Sequence, residues 1–388
     1  MHHSAPRLDI DPSVDPIGYH DFRRDLSVNF QCNRWVQWIG PEAIPDVAEL
    51  ARHCSTYPQW VDGFLALAAT ARTEGRDVAA AYYDRGADFF MLADDPRRPA
   101  ARQRFLDTMR TTYGVVPELV GYEGGALPCY DLQGDVDQSR GTIVVFGGYD
   151  SYIEEFFPMI ATVLDQGYRV IAFDGPGQGG ALEEHGLAMT HEWERPVAAI
   201  LDHCDASDVT AIGVSLGGGL VIRAAAYEPR IARVVSLDIL DDEFEVLARQ
   251  IGPGVAPALR VLLALRARRL INAIAKRAAA RRPISEWGLR QGLHITGTRD
   301  AYDFIRSTRK FTTRHISDRV HADVLLAAGA DDHYVPLHQL HRQAARLTNA
   351  RSLTTRTFTA VEHASNHCQI GNIALCVREF ESWLTLRD

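Results

Sequence analysis

The run Val209-Thr210-Ala211-Ile212-Gly213-Val214-Ser215-Leu216-Gly217-Gly218-Gly219 decides how this chain is read. Its first six residues are mostly apolar and partly β-branched, the composition of a buried strand. A helical pattern, clearest over 220–227, follows at once. Between the two lies G-x-S-x-G, with a serine at the apex of a sharp strand-to-helix turn. Such a turn strains the serine backbone and brings side chains two residues away on either side into collision. Glycines at 213 and 217 avoid that collision. The helix beginning near Leu216 aims free N–H groups at the serine, where developing negative charge would be held.

Outward from this run, strands and helices alternate. The pattern predicts strands over 141–146, 168–173, 209–214 and 231–237, with helices over 153–166 and 192–202 between them. Strands return at 323–328 and 352–358, and an amphipathic helix over 373–386 closes the chain. Mostly continuous apolar strands separated by helices imply a mostly parallel sheet covered by helices on both faces, an α/β fold. Before it, 117–123 and 126–132 flank Gly124-Gly125, a hairpin signal.

Residues 22–109 carry only helical patterns, at 45–54, 60–73, 77–92 and 101–113, with Asp84 and Arg85 read as the charged edge of the third. Residues 1–113 are therefore read as an N-terminal helical lid subdomain, preceded over 1 to about 20 by a polar arm. Its aromatic residues are expected mostly in the core, with a minority facing the site. Residues 114–240 and 321–388 form the core, and 241–320 a helical cap insertion. Within the cap, 256–282 is Ala/Leu/Arg-rich and is expected to present a solvated face.

A net charge of −9 argues against a dedicated nucleic-acid binder, and no apolar run reaches membrane-spanning length, so no membrane partner is expected. The first residues carry no apolar signal core, and His2 and His3 are set aside from function. The six cysteines are scattered without a C-x-x-C pair, so free thiols in a reducing, cytoplasmic setting are expected.

A serine hydroxyl becomes a nucleophile when a base takes its proton and a third group orients the base. Two loops after strands supply candidates. Gly329-Ala330-Asp331-Asp332-His333-Tyr334-Val335-Pro336 offers two acids, and the place of Asp332 before Val335-Pro336 favours it over Asp331. The loop from Val361 to Gln369 offers His363 and His367 as bases, with His333 a third histidine beside the acid. Oxyanion donors are expected at the Leu216 N–H and, from Phe146-Gly147-Gly148-Tyr149-Asp150-Ser151, at the Tyr149 N–H. Gly148, Asp150 and Asp174 are read as further pocket residues, Asp174 and the glycines after it as a tight loop bordering the floor of the site.

Two patterns are set aside. Gly175-Pro176-Gly177-Gln178-Gly179-Gly180 matches G-x-G-x-x-G, but it does not follow the first strand of a βαβ unit. The segment about twenty residues on reads as helix rather than a strand ending in an acid. His363 and His367 are spaced H-x-x-x-H, yet Ala364 stands where a zinc protease needs glutamate. Neither a cofactor nor a metal is expected.

Several motifs together resemble one family. They are Asn29-Phe30-Gln31-Cys32-Asn33-Arg34-Trp35, Gly147-Gly148-Tyr149-Asp150-Ser151 with Glu154-Glu155, Phe173 to Gly179, Gly213 to Gly218, and His367-Cys368-Gln369. The chain resembles α/β-hydrolases with an N-terminal helical lid. That group includes 2,6-dihydroxypseudooxynicotine hydrolase, fungal polyketide-shortening hydrolases and fermentation-respiration switch esterase-like proteins. The resemblance places the base at His367 and the acid at Asp332. It implies acyl-serine hydrolysis at a carbonyl of a small natural-product-like substrate, an ester or a C–C bond of a 1,3-dicarbonyl, and makes a homodimer plausible. Elimination of an acyl group such as acetate from the same pocket is the first alternative. A non-catalytic binding protein on the same scaffold is the second. The 256–282 stretch is longer and more basic than the caps of that group.

Overall fold

The computed structural model describes residues 17–134, 140–281 and 283–387. His2, His3, Arg282 and most of the expected N-terminal arm lie outside the described residues.

Five helices come first: α1 (Leu26–Ile39), α2 (Ala43–His53), α3 (Tyr57–Thr73), α4 (Asp77–Phe90) and α5 (Arg98–Tyr113). Local chemistry starts and stops them. Asp25 caps α1 by accepting from the Val28 N–H, and a Thr56/Gln59 capping box opens α3. Gly114, left-handed at φ 65°, ends α5.

The sheet follows. Its strands are β1 (Glu118–Tyr122), β2 (Gly125–Gln133), β3 (Thr142–Phe146), β4 (Arg169–Phe173), β5 (Val209–Val214), β6 (Ile231–Leu237), β7 (Asp323–Gly329) and β8 (Ser352–Phe358). They lie in the order β1-β2-β4-β3-β5-β6-β7-β8. β1 pairs antiparallel with β2, and β2 with β4; every other pairing is parallel. The first crossover helices are α6 (Phe157–Asp165), α7 (Gly179–Glu183), α8 (Glu194–His203) and α9 (Leu216–Ala225). After β6 come α10 (Glu243–Ile251), α11 (Val255–Ala264), α12 (Arg268–Ala279), α13 (Pro283–Thr296) and α14 (Ala301–Thr308). α15 (His338–Arg346) and α16 (Ile373–Thr385) complete the chain.

Alternation along each strand splits the core in two. Ile143, Val145, Ile212 and Val235 pack on one face, in the same apolar cluster as Trp35, Phe64 and Tyr82 of the N-terminal helices. Val144, Phe146, Ala211 and Val234 pack on the other, beneath Trp193, Leu220 and Leu340. The N-terminal helices thus share one core with the sheet.

The local expectations differ from the structure in four places. Residues 26–39 form a helix of their own. Residues 153–156 are a 3-10 turn, and the helix starts only at Phe157, with Pro158 in its first turn. The basic stretch 256–282 is broken between α11 and α12, where Arg266 is left-handed at φ 53°. Asp84 and Arg85 are no charged edge, because both are fully buried. Arg104 and Arg72 hold Asp84, while Glu155 and Asp88 hold Arg85. Buried charge is tolerated only when paired, and these partners are mostly remote in sequence.

Candidate active site

Ser215 sits between β5 and α9 at φ 60°, ψ −122°, a region that L side chains rarely adopt. Its amide donates to the Leu237 carbonyl at 2.8 Å, and its own carbonyl accepts from Gly218 at 2.8 Å. A Cβ added to Gly213 would lie 2.0 Å from the Gly217 carbonyl oxygen, so the turn closes only around glycine.

The loops after β7 and β8 meet at this serine. Ser215 Oγ and His367 Nε2 are 2.8 Å apart. His367 Nδ1 donates to Asp332 Oδ2 at 2.7 Å, which leaves Nε2 as the acceptor facing the hydroxyl. The other oxygen of Asp332 accepts from the Tyr334 and Val335 amides at 2.7 and 2.9 Å, fixing the carboxylate in place. Asp332 and His367 are buried, whereas Asp331 and His363 are exposed. Burial opposes a charge on His367, but Asp332, then Cys368 and Asp238, overrule it and hold the imidazole pKa well above the ordinary value.

Aromatic rings close over His367. Phe30 of α1 lies 5.6 Å from the His367 ring, and Tyr334 lies 5.1 Å from it, both edge-on. The His333 ring lies 3.9 Å from that of Tyr334, tilted by 41°, and burial followed by the His367 charge pushes its imidazole down to about 4.

The loop after β3 lies against Leu216. A Cβ on Gly148 would lie 2.7 Å from the Leu216 nitrogen and 2.7 Å from the Val214 oxygen. Gln178 Nε2 donates to the Gly147 and Gly148 carbonyls at 2.7 and 3.0 Å. No cis peptide occurs among the described residues, so the Tyr149 N–H points opposite to the Gly148 carbonyl, away from Gln178. Asp150, at φ 62°, is held at its carbonyl by Arg85 Nη2 (2.8 Å) and at Oδ1 by Gln291 Nε2 of α13 (2.8 Å). Asp150 Oδ2 and Gln291 Oε1 are buried without a partner. Burial pushes the Asp150 carboxyl up to about 6 against the pull of Arg85, Arg98 and Arg34.

Asp174 closes the tight loop that follows β4. Its two carboxylate oxygens accept from the Ile153 and Gly180 amides at 2.9 and 3.0 Å. It therefore clamps that loop. The glycine-rich run around it leads into the five-residue helix α7.

Sequence reasoning missed Gln178, Gln291, Asp238 and Glu243. Gln178 was within view, inside the quoted Phe173 to Gly179 motif. Asp238 follows β6 directly, and its Oδ2 lies 3.4 Å from His367 Nδ1. Glu243 opens α10; burial, then Asp242, push its carboxyl up to about 8, with the His367 charge opposing. Among the described residues, Asp238, His367 and Cys368 have donor atoms within 4.8 Å of one another, a spacing that suits a metal. Hydrogen bonds from Cys368 N–H and Gln369 to Asp238, and from His367 to Asp332, already engage two of these side chains.

Residues 141–367 match the family model described as alpha/beta hydrolase fold. Over 371 residues the chain is 26% identical to a Fusarium sp protein named Hydrolase LUC6, spanning 85% of this chain and 87% of that one. A stretch of 118 residues is 36% identical to the 2,6-dihydropseudooxynicotine hydrolase of Paenarthrobacter nicotinovorans, spanning 29% of this chain and 32% of that one. The solved structure of the 2,6-dihydroxy-pseudo-oxynicotine hydrolase superposes with a TM-score of 0.64 at 18% identity, over 91% of this chain and 94% of the other. At that identity the likeness is one of fold, and it agrees with the resemblance carried by the motifs.

Proposed function

The chain belongs to the α/β-hydrolase fold family and is a hydrolase, and on that premise we propose that Ser215, His367 and Asp332 cleave a carbonyl substrate through an acyl-serine intermediate. The observation that carries this reading is the continuous relay of 2.8 and 2.7 Å from Ser215 Oγ through His367 to Asp332. His367 takes the hydroxyl proton as Ser215 attacks the carbonyl. The Leu216 and Tyr149 N–H groups hold the oxyanion, each donor lowering the barrier by about 3 kcal/mol.

Collapse of the tetrahedral intermediate expels the leaving group. In an ester this is an alkoxide; in a 1,3-dicarbonyl it is an enolate carbon, whose charge the second carbonyl delocalises. His367 returns its proton to that atom. Water, deprotonated by the same imidazole, then releases the acyl group as an acid and restores Ser215.

The substrate class is a small natural-product-like molecule. Two features support it: the relatedness to a pseudooxynicotine hydrolase and the unpartnered oxygens of Asp150 and Gln291. Those buried acceptors suit a hydroxyl or enol on the substrate, because an acceptor left without a donor costs about 1–3 kcal/mol.

A fluorophosphonate probe tests the nucleophile. A single adduct on the wild type, absent from Ser215→Ala, is expected; labelling that survives the substitution removes the triad. Turnover in heavy-oxygen water tests the second half. One labelled oxygen in the released acid is expected, and an unlabelled acid would replace hydrolysis by elimination. Among the described residues no helix is long and apolar enough to cross a membrane.

A further inference from the structure

We propose that Asp238 is a second acid for His367, a positioning carboxylate that shares the Nδ1–H with Asp332. The proposal rests on the reading of Ser215, His367 and Asp332 as a triad, and deepens it.

Asp238 is fully buried at the C-terminal end of β6, left-handed at φ 62°, with its amide donating to the Ala327 carbonyl at 3.0 Å. One oxygen, Oδ1, accepts from Gln369 Nε2 at 3.0 Å and from the Gly329 amide at 3.4 Å. The other, Oδ2, accepts from the Cys368 amide and lies 3.4 Å from His367 Nδ1. Three consecutive residues of the base loop are therefore tied to one carboxylate. Cys368 and Gln369 are both left-handed at φ 53°, a conformation that persists only when surroundings hold it.

The imidazole N–H thus faces two carboxylate oxygens, at 2.7 Å from Asp332 and 3.4 Å from Asp238. The nearer one makes the main bond. The farther one adds a second negative charge beside a ring that becomes positive in the transition state. It also offers the Nδ1–H an acceptor when Asp332 cannot, which keeps the proton on Nδ1 and the lone pair on Nε2. The titratable groups around this pair are Asp332, His333 and Tyr334 of the acid loop, Cys368 beside the base, Glu243 of α10 and Cys376 of α16. Burial pushes the Asp238 carboxyl up to about 6, against the His367 charge.

The probe is a fluorophosphonate, with the rate of Ser215 labelling followed against pH. Asp238→Asn preserves an acceptor for the Cys368 amide and removes the charge. Its acid limb is expected about half to one pH unit below that of the wild type, since losing an anion eases deprotonation of the imidazolium, and its plateau about threefold to tenfold lower. A role in folding alone would lower the plateau and leave the limb where it was; that result overturns the proposal.

Asp332→Asn provides the second arm, whether or not Asp238→Asn folds. With Asp238 still able to accept from Nδ1, it should label at least tenfold faster than His367→Ala. Equal rates overturn the proposal. Failure of the parent reading looks different: the wild type would not label at Ser215 at all.

Discussion

Arg85 of α4 donates through Nη2 to the Asp150 carbonyl at 2.8 Å and through Nε to Glu155 at 2.5 Å. One buried side chain thereby joins the N-terminal helical block to the loop that borders Ser215. Arg34 of α1 reaches the same Glu155, and Arg98 of α5 reaches Asp88, which also holds Arg85. The helical block is thus wired into the loop that carries the proposed oxyanion donor.

Replacing Arg85 by Met is expected to leave Glu155 and Asp88 short of a cation inside the protein. Breaking a buried pair in this way costs about 3–5 kcal/mol. Thermal and urea unfolding should report that loss, and fluorophosphonate labelling should slow in the protein that stays folded, because the Asp150 carbonyl loses its anchor. A variant as stable as the wild type would show that the network contributes nothing net.

Ser215→Ala is expected to cut turnover by about 10^4-fold or more, the scale set by removing a triad nucleophile. The fold should persist, since the Ser215 backbone bonds to Leu237 and Gly218 do not involve the hydroxyl. Circular dichroism beside the kinetics separates the two effects.

Gly148→Ala places a methyl group 2.7 Å from the Leu216 nitrogen. The loop has to retreat from the N–H that would hold the oxyanion. A drop of about 10^2–10^3-fold in kcat is expected, the cost of one oxyanion donor. KM should change far less, because the loss falls on the transition state. A kcat within threefold of the wild type would place the oxyanion elsewhere.

The pH dependence follows from two groups. Despite burial, Asp332 and, more weakly, Cys368 and Asp238 hold the His367 pKa well above 6.5. The base works only when neutral, so kcat/KM should rise tenfold per pH unit up to an acid limb on the alkaline side of 6.5. Glu243, pushed up to about 8 mainly by burial, holds its proton at pH 7. Above about 8 it becomes an anion that acts on the Tyr149 phenol and the His367 charge, and the pH–rate profile should bend there. Glu243→Gln removes the titration, and with it that bend; an unchanged alkaline limb in the variant assigns it to another group.

The elbow was legible because its signals are local. G-x-S-x-G, a β-branched run before it and a helical pattern after it constrain only neighbouring residues, and so do the strands on either side. Asp332 stood out by its place before Val335-Pro336, and His367 through the His-Cys-Gln motif. Asp84 and Arg85 were misread for the opposite reason. Charges at helical spacing read as a solvated edge unless their partners are visible, and Arg104 and Glu155 come from elsewhere in the chain.

By itself, the sequence determined an α/β sheet with its serine at a strained turn, because backbone preference and hydrophobic period act over a few residues. Tertiary structure decided which side chains hold the site in shape. Asp238 reaches Gln369 across 131 residues, Gln291 reaches Asp150 across 141, and Arg85 reaches Asp150 across 65. No local pattern encodes those meetings. They exist because parallel pairing sets the ends of β3, β6 and β8 along one edge of the sheet, where the helices pack over them. There, buried polar groups must find partners wherever the chain supplies them.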